Sequence, residues 1–418
     1  MYYSTNLDNK IEVIAEKVEN IRSISLGIWL KSGSRFENPD FNGVSHFMEH
    51  MLFKGTENRS PQDIANEIDD IAGEMNAFTT REYTCVYLKV IDEYFEKGLE
   101  IVADVFLNSV FPEEELEKER QVILEEIKMY NDSPEDQVYD LMLDSCYGGH
   151  PLAFNVLGDK NTINKIDKNF LMDYYTNGFL SRDIVISVAG NIEPEKATSI
   201  IKKYFDKKRL NEAYLNTESP VYQTADKYKY KDIEQAHYCL ALPGIAYNDE
   251  KIYQLSLLNN VLGGSMSSRL FQNIRELKGL AYSVYSYPLA FHDTGILIVY
   301  AGVSPENIEK TSEIIWDNLE DLAGRRENMN ITNRELERAK AQVKGSIIFS
   351  LESTNSRMMR LGYSKLLKGK VFTPDEVVGK IDKIKLSDLE KLADELFLPG
   401  KLSTALIGPV NNAYNPVK

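Results

Sequence analysis

The stretch Asn42-Gly-Val-Ser-His-Phe-Met-Glu-His-Met-Leu-Phe-Lys-Gly-Thr56 decides how the rest of the chain is read. It reads as a helix: Ser45 can cap it, Met48, Met51 and Leu52 form an apolar stripe, and Gly55 can end it. His46 and His50 are four residues apart, so on a helix they share one face, one turn above the other. Two neutral imidazoles so placed can both reach one metal ion. Glu49 flanks the same face without being forced into the coordination shell, which leaves its carboxylate free to take a proton from an attacking water. The order His-x-x-Glu-His reverses the commoner zinc motif His-Glu-x-x-His. A helix with two incidental histidines is the plain alternative. The chain holds only five histidines, however, and chance seldom sets two of five at ligand spacing around a glutamate.

Bulk composition frames this motif. A chain of 418 residues is long for one domain and comfortable for two, and 43% apolar with 27% charged residues describes a soluble globular protein. The formal net charge of −16 argues against nucleic-acid binding, which needs a basic patch. It is compatible with basic or neutral partners, and equally with a surface that simply stays in solution. Cys85, Cys146 and Cys239 are widely spaced and odd in number, so they suggest reduced thiols and a cytoplasmic setting. The opening residues lack the basic-then-apolar pattern of a secretory signal, and no apolar run has the length to span a bilayer, so no membrane association is expected. Neither GxGxxG nor GxxxxGK[ST] occurs, which argues against a phosphate loop.

The chain then divides by element order. Alternation over residues 11 to 31 predicts two strands, and residues 73 to 90 predict two more around a polar turn. Helices are expected from Ser60, with Pro61 at the first position, to Ile71, over 92–107, and from Pro112 to Tyr130 behind the acidic run Glu113-Glu-Glu. Further helices are expected over 135–146, 165–177 and 194–205, with a buried strand at 183–190 between the last two. Residues 209–224 turn polar and read as a linker. A similar order then returns: strands at 235–243, 280–291, 295–303 and 405–408, with helical segments at 249–262, 271–278, 307–322 and 334–350. The expected fold is α+β, two structurally related α/β halves in tandem, each a sheet with helices packed on one face. Residues 1–215 would form the half with the histidine helix and 225–418 the related half without a metal. The second half has no histidine on the helix that matches the histidine helix.

Two histidines leave a zinc site one protein ligand short. Glu119 and Glu126 lie seven residues apart on the acidic helix, hence on one face, and either could reach across. Spacing alone leaves that choice open.

Taken together, Gly33-Ser-Arg-Phe-Glu37, the Asn42–Thr56 stretch, Asn76-Ala-Phe-Thr79 and Glu119-Arg-Gln-Val-Ile-Leu-Glu-Glu126 resemble the pitrilysin/insulysin family of zinc metallopeptidases, the inverzincins. The resemblance runs over essentially the whole chain and is strongest to the processing-peptidase branch with its bacterial members. It implies Glu126 as the third zinc ligand beside His46 and His50, Glu49 as general base, and Glu119 as a supporting carboxylate that is not a ligand. Gly263-Gly-Ser-Met-Ser-Ser-Arg-Leu-Phe271 followed by Ile274-Arg-Glu-Leu-Lys-Gly-Leu-Ala-Tyr282 resembles the family's substrate-contacting pair, here Arg275 and Tyr282. Read without the family, these two are a helix-end charge and a strand residue. The resemblance further implies one Zn2+ per chain and peptide substrates added as a strand along Asn76, Ala77 and Phe78. It also implies a homodimer enclosing a chamber, in which the Arg and Tyr of one copy serve the zinc of the other. The rival expectation is a catalytically silent scaffold or peptide-binding subunit. Relatives of that kind typically lose zinc ligands, and this chain keeps them all.

Overall fold

In the structure, a computed structural model that describes residues 2–206, 218–326 and 330–410, the apolar runs pair into two sheets. The first sheet holds β1 (Tyr2–Asn6), β2 (Glu12–Lys17), β3 (Ser23–Leu30), β4 (Glu74–Thr79), β5 (Thr84–Ile91) and β6 (Ile184–Gly190). Their order across the sheet is β1-β2-β6-β3-β5-β4, with β2 and β6 parallel and the other pairs antiparallel. The second sheet holds β7 (Asp226–Tyr230), β8 (Ala236–Pro243), β9 (Ala281–Ala290), β10 (Gly295–Val303) and β11 (Ser403–Gly408). Its order is β7-β11-β8-β10-β9, and β7 and β11 are its parallel pair. Without β1, the first sheet has the order of the second: β2 matches β7, β6 matches β11, β3 matches β8, β5 matches β10 and β4 matches β9. The repeat legible in element order is therefore a repeat of topology.

β3 is buried at every position but its first, and β6 throughout. Such unbroken apolar runs belong to strands covered on both faces. One face of the first sheet packs against the helices Val44–Leu52, Phe95–Leu107 and Pro194–Phe205 through a core that includes Val13, Leu26, Phe47, Leu99, Ile186 and Ile201. On the other face Ile14, Trp29, Cys85 and Val185 lie under Met358 and Leu361 of the helix Thr354–Lys368. The second sheet repeats this. The helices Ile252–Leu262, Ile308–Leu322 and Leu386–Leu396 share one core with it. Val138, Met142 and Cys146 of the helix Pro134–Tyr147 cover Cys239, Ile298 and Ala405 on its other side. The expectation of helices on one face thus describes most of them. The difference is a single closing helix per sheet, required because strand residues of both parities are apolar.

Those closing helices also redraw the division of the chain. The first compact unit is assembled from Met1–Met129, Phe154–Thr217 and Ser350–Phe372, and the second from Tyr130–Ala153, Glu218–Phe349 and Thr373–Lys418. A cut between 215 and 225 captures most of each unit, but 130–153 belongs with the second sheet and 350–372 with the first. Much of the expected linker, through residue 217, lies outside the described residues. Charge accompanies the exchange. In the first unit Glu16 of β2 binds Arg357 and, at 2.6 Å, Arg360, while Glu12 lies 2.7 Å from Lys365. In the second unit the signs invert: Lys227 of β7 pairs with Asp144, and Lys229 donates to Gln137 at 2.6 Å.

Candidate metal centre

The histidine helix spans Val44–Leu52. Phe47, Met48, Met51 and Leu52 bury completely in the first core, so His46, Glu49 and His50 take the half-buried face. Ser45 is not its cap. The N-cap is Gly43, held at φ 96°, a left-handed value that favours glycine, and no side chain at that position caps the helix. The capping acceptor is the Glu37 carboxylate, which takes the backbone N–H of Gly43 at 2.7 Å and of Ser45 at 2.8 Å. Ser45 turns its hydroxyl to that of Tyr174 instead, at 2.8 Å. The helix stops at Leu52, three residues before Gly55.

The acidic helix spans Glu113–Asp132 and buries Leu116, Ile123 and Ile127. Arg120 seats it beside the histidine helix. Its guanidinium lies 5.5 Å from the Phe47 ring centroid and donates to the carbonyls of Ile163 and Ile166, the latter at 2.7 Å. With both helices so fixed, His46, His50 and Glu126 bring one donor atom each to within 4.8 Å of one another. Glu126 Oε2 is 3.6 Å from His50 Nε2 and 3.8 Å from His46 Nε2. Zinc bonds of about 2.1 Å in tetrahedral geometry put ligand atoms roughly 3.4 Å apart, so the trio has nearly the right span. The chemistry of the donor set also fits. Burial, reinforced by His50 alongside, depresses the His46 imidazole to about 3, so it is neutral at physiological pH and its lone pair is available.

Glu119, the other open choice, is not in the trio. Its Oε2 lies 3.0 Å from His50 Nδ1, and its Oε1 lies 2.6 Å from Lys54 Nζ. It therefore orients one imidazole from behind while Lys54 balances its charge. Glu49 points into the same place. Burial pushes its carboxyl above the usual range, opposed by hydrogen bonds from Thr79 and by His50, and its buried Oε2 has no hydrogen-bond partner among the described residues.

The other anticipated residues fall in two places. Asn76, Ala77 and Phe78 lie in β4, the end strand of the first sheet, paired on one side with Tyr87, Val86 and Cys85 of β5. Arg275 and Tyr282 belong to the second unit. Arg275 sits between two rings, its guanidinium carbon 4.9 Å from the Phe271 centroid and 5.1 Å from that of Tyr282. Tyr282 is 78% exposed. The sequence reading gave no role to Glu37, Lys54, Thr79 or Tyr174. Lys54 stands four residues after His50, a spacing that could have flagged it. Glu37 stands only six and eight residues before the amides that it accepts from, but no standard capping pattern has that spacing, and Thr79 and Tyr174 act from distant parts of the chain.

Comparisons with known proteins bear on the family of the chain. Residues 12–160 match the profile described as Insulinase (Peptidase family M16), and residues 165–343 match the profile described as Peptidase M16 inactive domain. The chain is 43% identical over 404 residues to YmxG of Bacillus subtilis, described as an uncharacterised zinc protease, with 97% of each chain covered. It is 36% identical to an uncharacterised zinc protease of Streptomyces coelicolor over 98% of this chain and 90% of that one. Among solved structures, a protease from Helicobacter pylori superposes with a TM-score of 0.91 at 24% identity, covering 98% of this chain and 99% of that one. A Pseudomonas fluorescens structure described as a peptidase M16 inactive domain gives 0.91 at 20% identity, covering 98% of each; both likenesses speak for the fold alone. Matched in both parts by profiles of one family, and along its whole length by close relatives, the chain belongs to the insulinase family, peptidase family M16.

Proposed function

We propose that this protein is a zinc-dependent endopeptidase that cleaves peptides or unfolded segments. One Zn2+ per chain would be held by His46, His50 and Glu126. The observation that carries this reading is the convergence of those three donors while Glu49, beside them, keeps an uncommitted carboxylate oxygen. Zinc bound there supplies a Lewis acid toward the scissile carbonyl and toward water. Glu49 accepts the proton of the attacking water and later returns it to the leaving amine. Its raised proton affinity suits that double duty. Glu119, fixed by Lys54, holds the His50 ring in place.

Asn76, Ala77 and Phe78 offer the free edge of β4 to the substrate backbone, which binds extended peptides with little regard to sequence. Arg275 would hold a substrate carbonyl, and Tyr282 would donate to the developing oxyanion. Their stacking favours action as one unit. The protein would work as a homodimer whose enclosed chamber admits only flexible chains, Arg275 and Tyr282 of one copy serving the zinc of the other. Met266, Leu277 and Tyr282, each at least three-quarters exposed, supply apolar surface for such pairing. No described helix is long and apolar enough to cross a membrane, and the odd, buried, free cysteines suit a cytoplasmic setting.

The test is a peptide-library digest with wild type, with chelator, and with Glu49→Gln. The variant should retain zinc and lose turnover by about 10²–10⁴-fold, the usual worth of a positioned general base. Equal rates in wild type and Glu49→Gln defeat the assignment. Chelator-insensitive binding without cutting points instead to a peptide-holding module.

A further inference from the structure

His46 and His50 are not held alike. His50 Nδ1 meets Glu119 at 3.0 Å, and Lys54 secures Glu119 in turn. His46 Nδ1 is buried and has no hydrogen-bond partner among the described residues. Metal-binding imidazoles nearly always anchor their second nitrogen. Among the described residues, what directs the His46 ring is its backbone and packing.

That backbone is the first turn of a nine-residue helix in which His46 is the third residue. Its end is fixed from outside. Glu37 Oε2 accepts from Gly43 N at 2.7 Å and Asn42 Nδ2 at 2.8 Å, and Oε1 accepts from Ser45 N at 2.8 Å. Burial raises the proton affinity of Glu37, and the hydrogen bonds from Gly43, Ser45 and Asn42 oppose that rise; all three partners are donors to a carboxylate at the positive end of the helix dipole. Glu37 is itself held on a rigid loop. Arg35 pairs with Glu82 at 2.6 Å, with side chains 2% and 5% exposed, and its backbone N–H donates to Arg81 O at 2.9 Å. Gly33 approaches Thr80 and Arg81 so closely that a side chain there would collide with their backbone. The turn between β4 and β5 thus braces the loop, and the loop braces the helix.

We infer that Glu37 is the positioning residue for His46, fixing the first helical turn where no described side chain anchors the His46 ring. The assignment rests on the zinc reading above. It gives the two imidazoles separate supports: Glu119 and Lys54 for the second turn, Glu37 with Arg35 and Glu82 for the first. A loss at one support should leave the other ligand correctly aimed.

The experiment uses the full-length protein and reads zinc affinity, not turnover. Zinc is titrated in competition with a chromophoric chelator into wild type, Glu37→Gln and Glu37→Asp, and zinc-free melting curves are recorded beside each. Glutamine turns a donor group toward donors already present. Its zinc dissociation constant should rise about 10–100-fold, the usual effect of removing an outer support. Aspartate keeps the charge but is one methylene too short to span both amides, so its rise should be smaller. Should Glu37→Gln fail to fold, the aspartate variant decides alone, by a rise of at least several-fold. A folded variant with lowered melting temperature and unchanged zinc affinity overturns the inference, because Glu37 is then only a stabilising cap. Wild type that takes up no stoichiometric zinc in the same titration sinks the metal reading itself, before any variant is compared.

Discussion

Replacing Glu16 by glutamine tests what fastens the helix Thr354–Lys368 to the first sheet. Glu16 is 7% exposed on β2 and lies between Arg357 and Arg360, whose side chains are each 22% exposed. Glutamine keeps the shape and removes the one negative charge between two guanidinium groups. Deleting one partner of a buried ion pair costs about 3–5 kcal/mol. Here both cations keep some water, and Arg360 retains the Phe372 carbonyl at 2.9 Å. The expected loss is therefore about 2–3 kcal/mol, below that range because the arginines are partly solvated. The chain offers a local probe. Trp29 is 1% exposed in the cluster covered by this helix, and the only other tryptophan, Trp316, belongs to the second unit. In a Trp316→Phe background, urea unfolding followed by Trp29 emission reports the first unit. With a slope of about 3 kcal/mol per molar, Glu16→Gln should lower the midpoint by about 1 M. Reversing the set, Glu16→Arg with Arg357→Glu and Arg360→Glu, should recover most of that loss. A midpoint within about 0.2 M of the parent refutes the reasoning, since apolar packing around Met358 and Leu361 would then suffice without charge.

Metal removal should be visible in stability. A ligand present at 100 times its dissociation constant contributes about 2.7 kcal/mol to the folded state, so chelation should lower the melting temperature by several degrees and zinc should restore it. His50→Ala should melt at one temperature with or without zinc; a zinc-dependent melt in that variant contradicts the ligand assignment. His237 should give the second unit a pH dependence. Burial holds its imidazole below the usual value, Lys231 adds to this and Glu135 opposes it, while Nδ1 lies 2.9 Å from the Tyr300 hydroxyl. A folded-state value below the unfolded value of about 6.5 means that its contribution is complete above that pH and is lost as pH falls through the folded value. Melting curves of wild type and His237→Gln between pH 7.5 and 5 should show wild type losing ground to the variant on acidification. A difference that stays constant with pH counts against it.

How much of this was legible in the sequence depended on distance along the chain. The histidine helix, the acidic helix and most strands announce themselves through local periodicity, because their apolar positions repeat within one element. β1 and β7 escaped it. Their residues are mostly polar and exposed, and they persist because β2 and β11 supply hydrogen-bonding partners. The helix Thr354–Lys368 was missed because its apolar residues match a sheet more than 160 residues upstream, a relation no window can contain. At the site, spacing placed both histidines and narrowed the third ligand to two glutamates of one face. It could not choose between them, because the choice depends on how two helices cross, which Arg120 and Phe47 govern. Ser45 as cap was the natural local reading. It failed because Glu37, on the braced loop just before the helix, offers two acceptor oxygens to the amides of Gly43 and Ser45.

The charge inversion between the units bears on why one chain with two like halves folds in only one way. The two sheets share a strand order, and each leaves an apolar face to be covered by a helix of similar length. Shape alone would let each half cover its own sheet. The strand that meets the closing helix is acidic in the first unit, through Glu12 and Glu16, and basic in the second, through Lys227 and Lys229. The helix Pro134–Tyr147, with Glu135, Asp136, Asp140 and Asp144, would meet like charge on β2. The helix Thr354–Lys368, with Arg357, Arg360 and Lys365, would meet it on β7. Like charges set against one another would add repulsion to the attraction of the observed pairs.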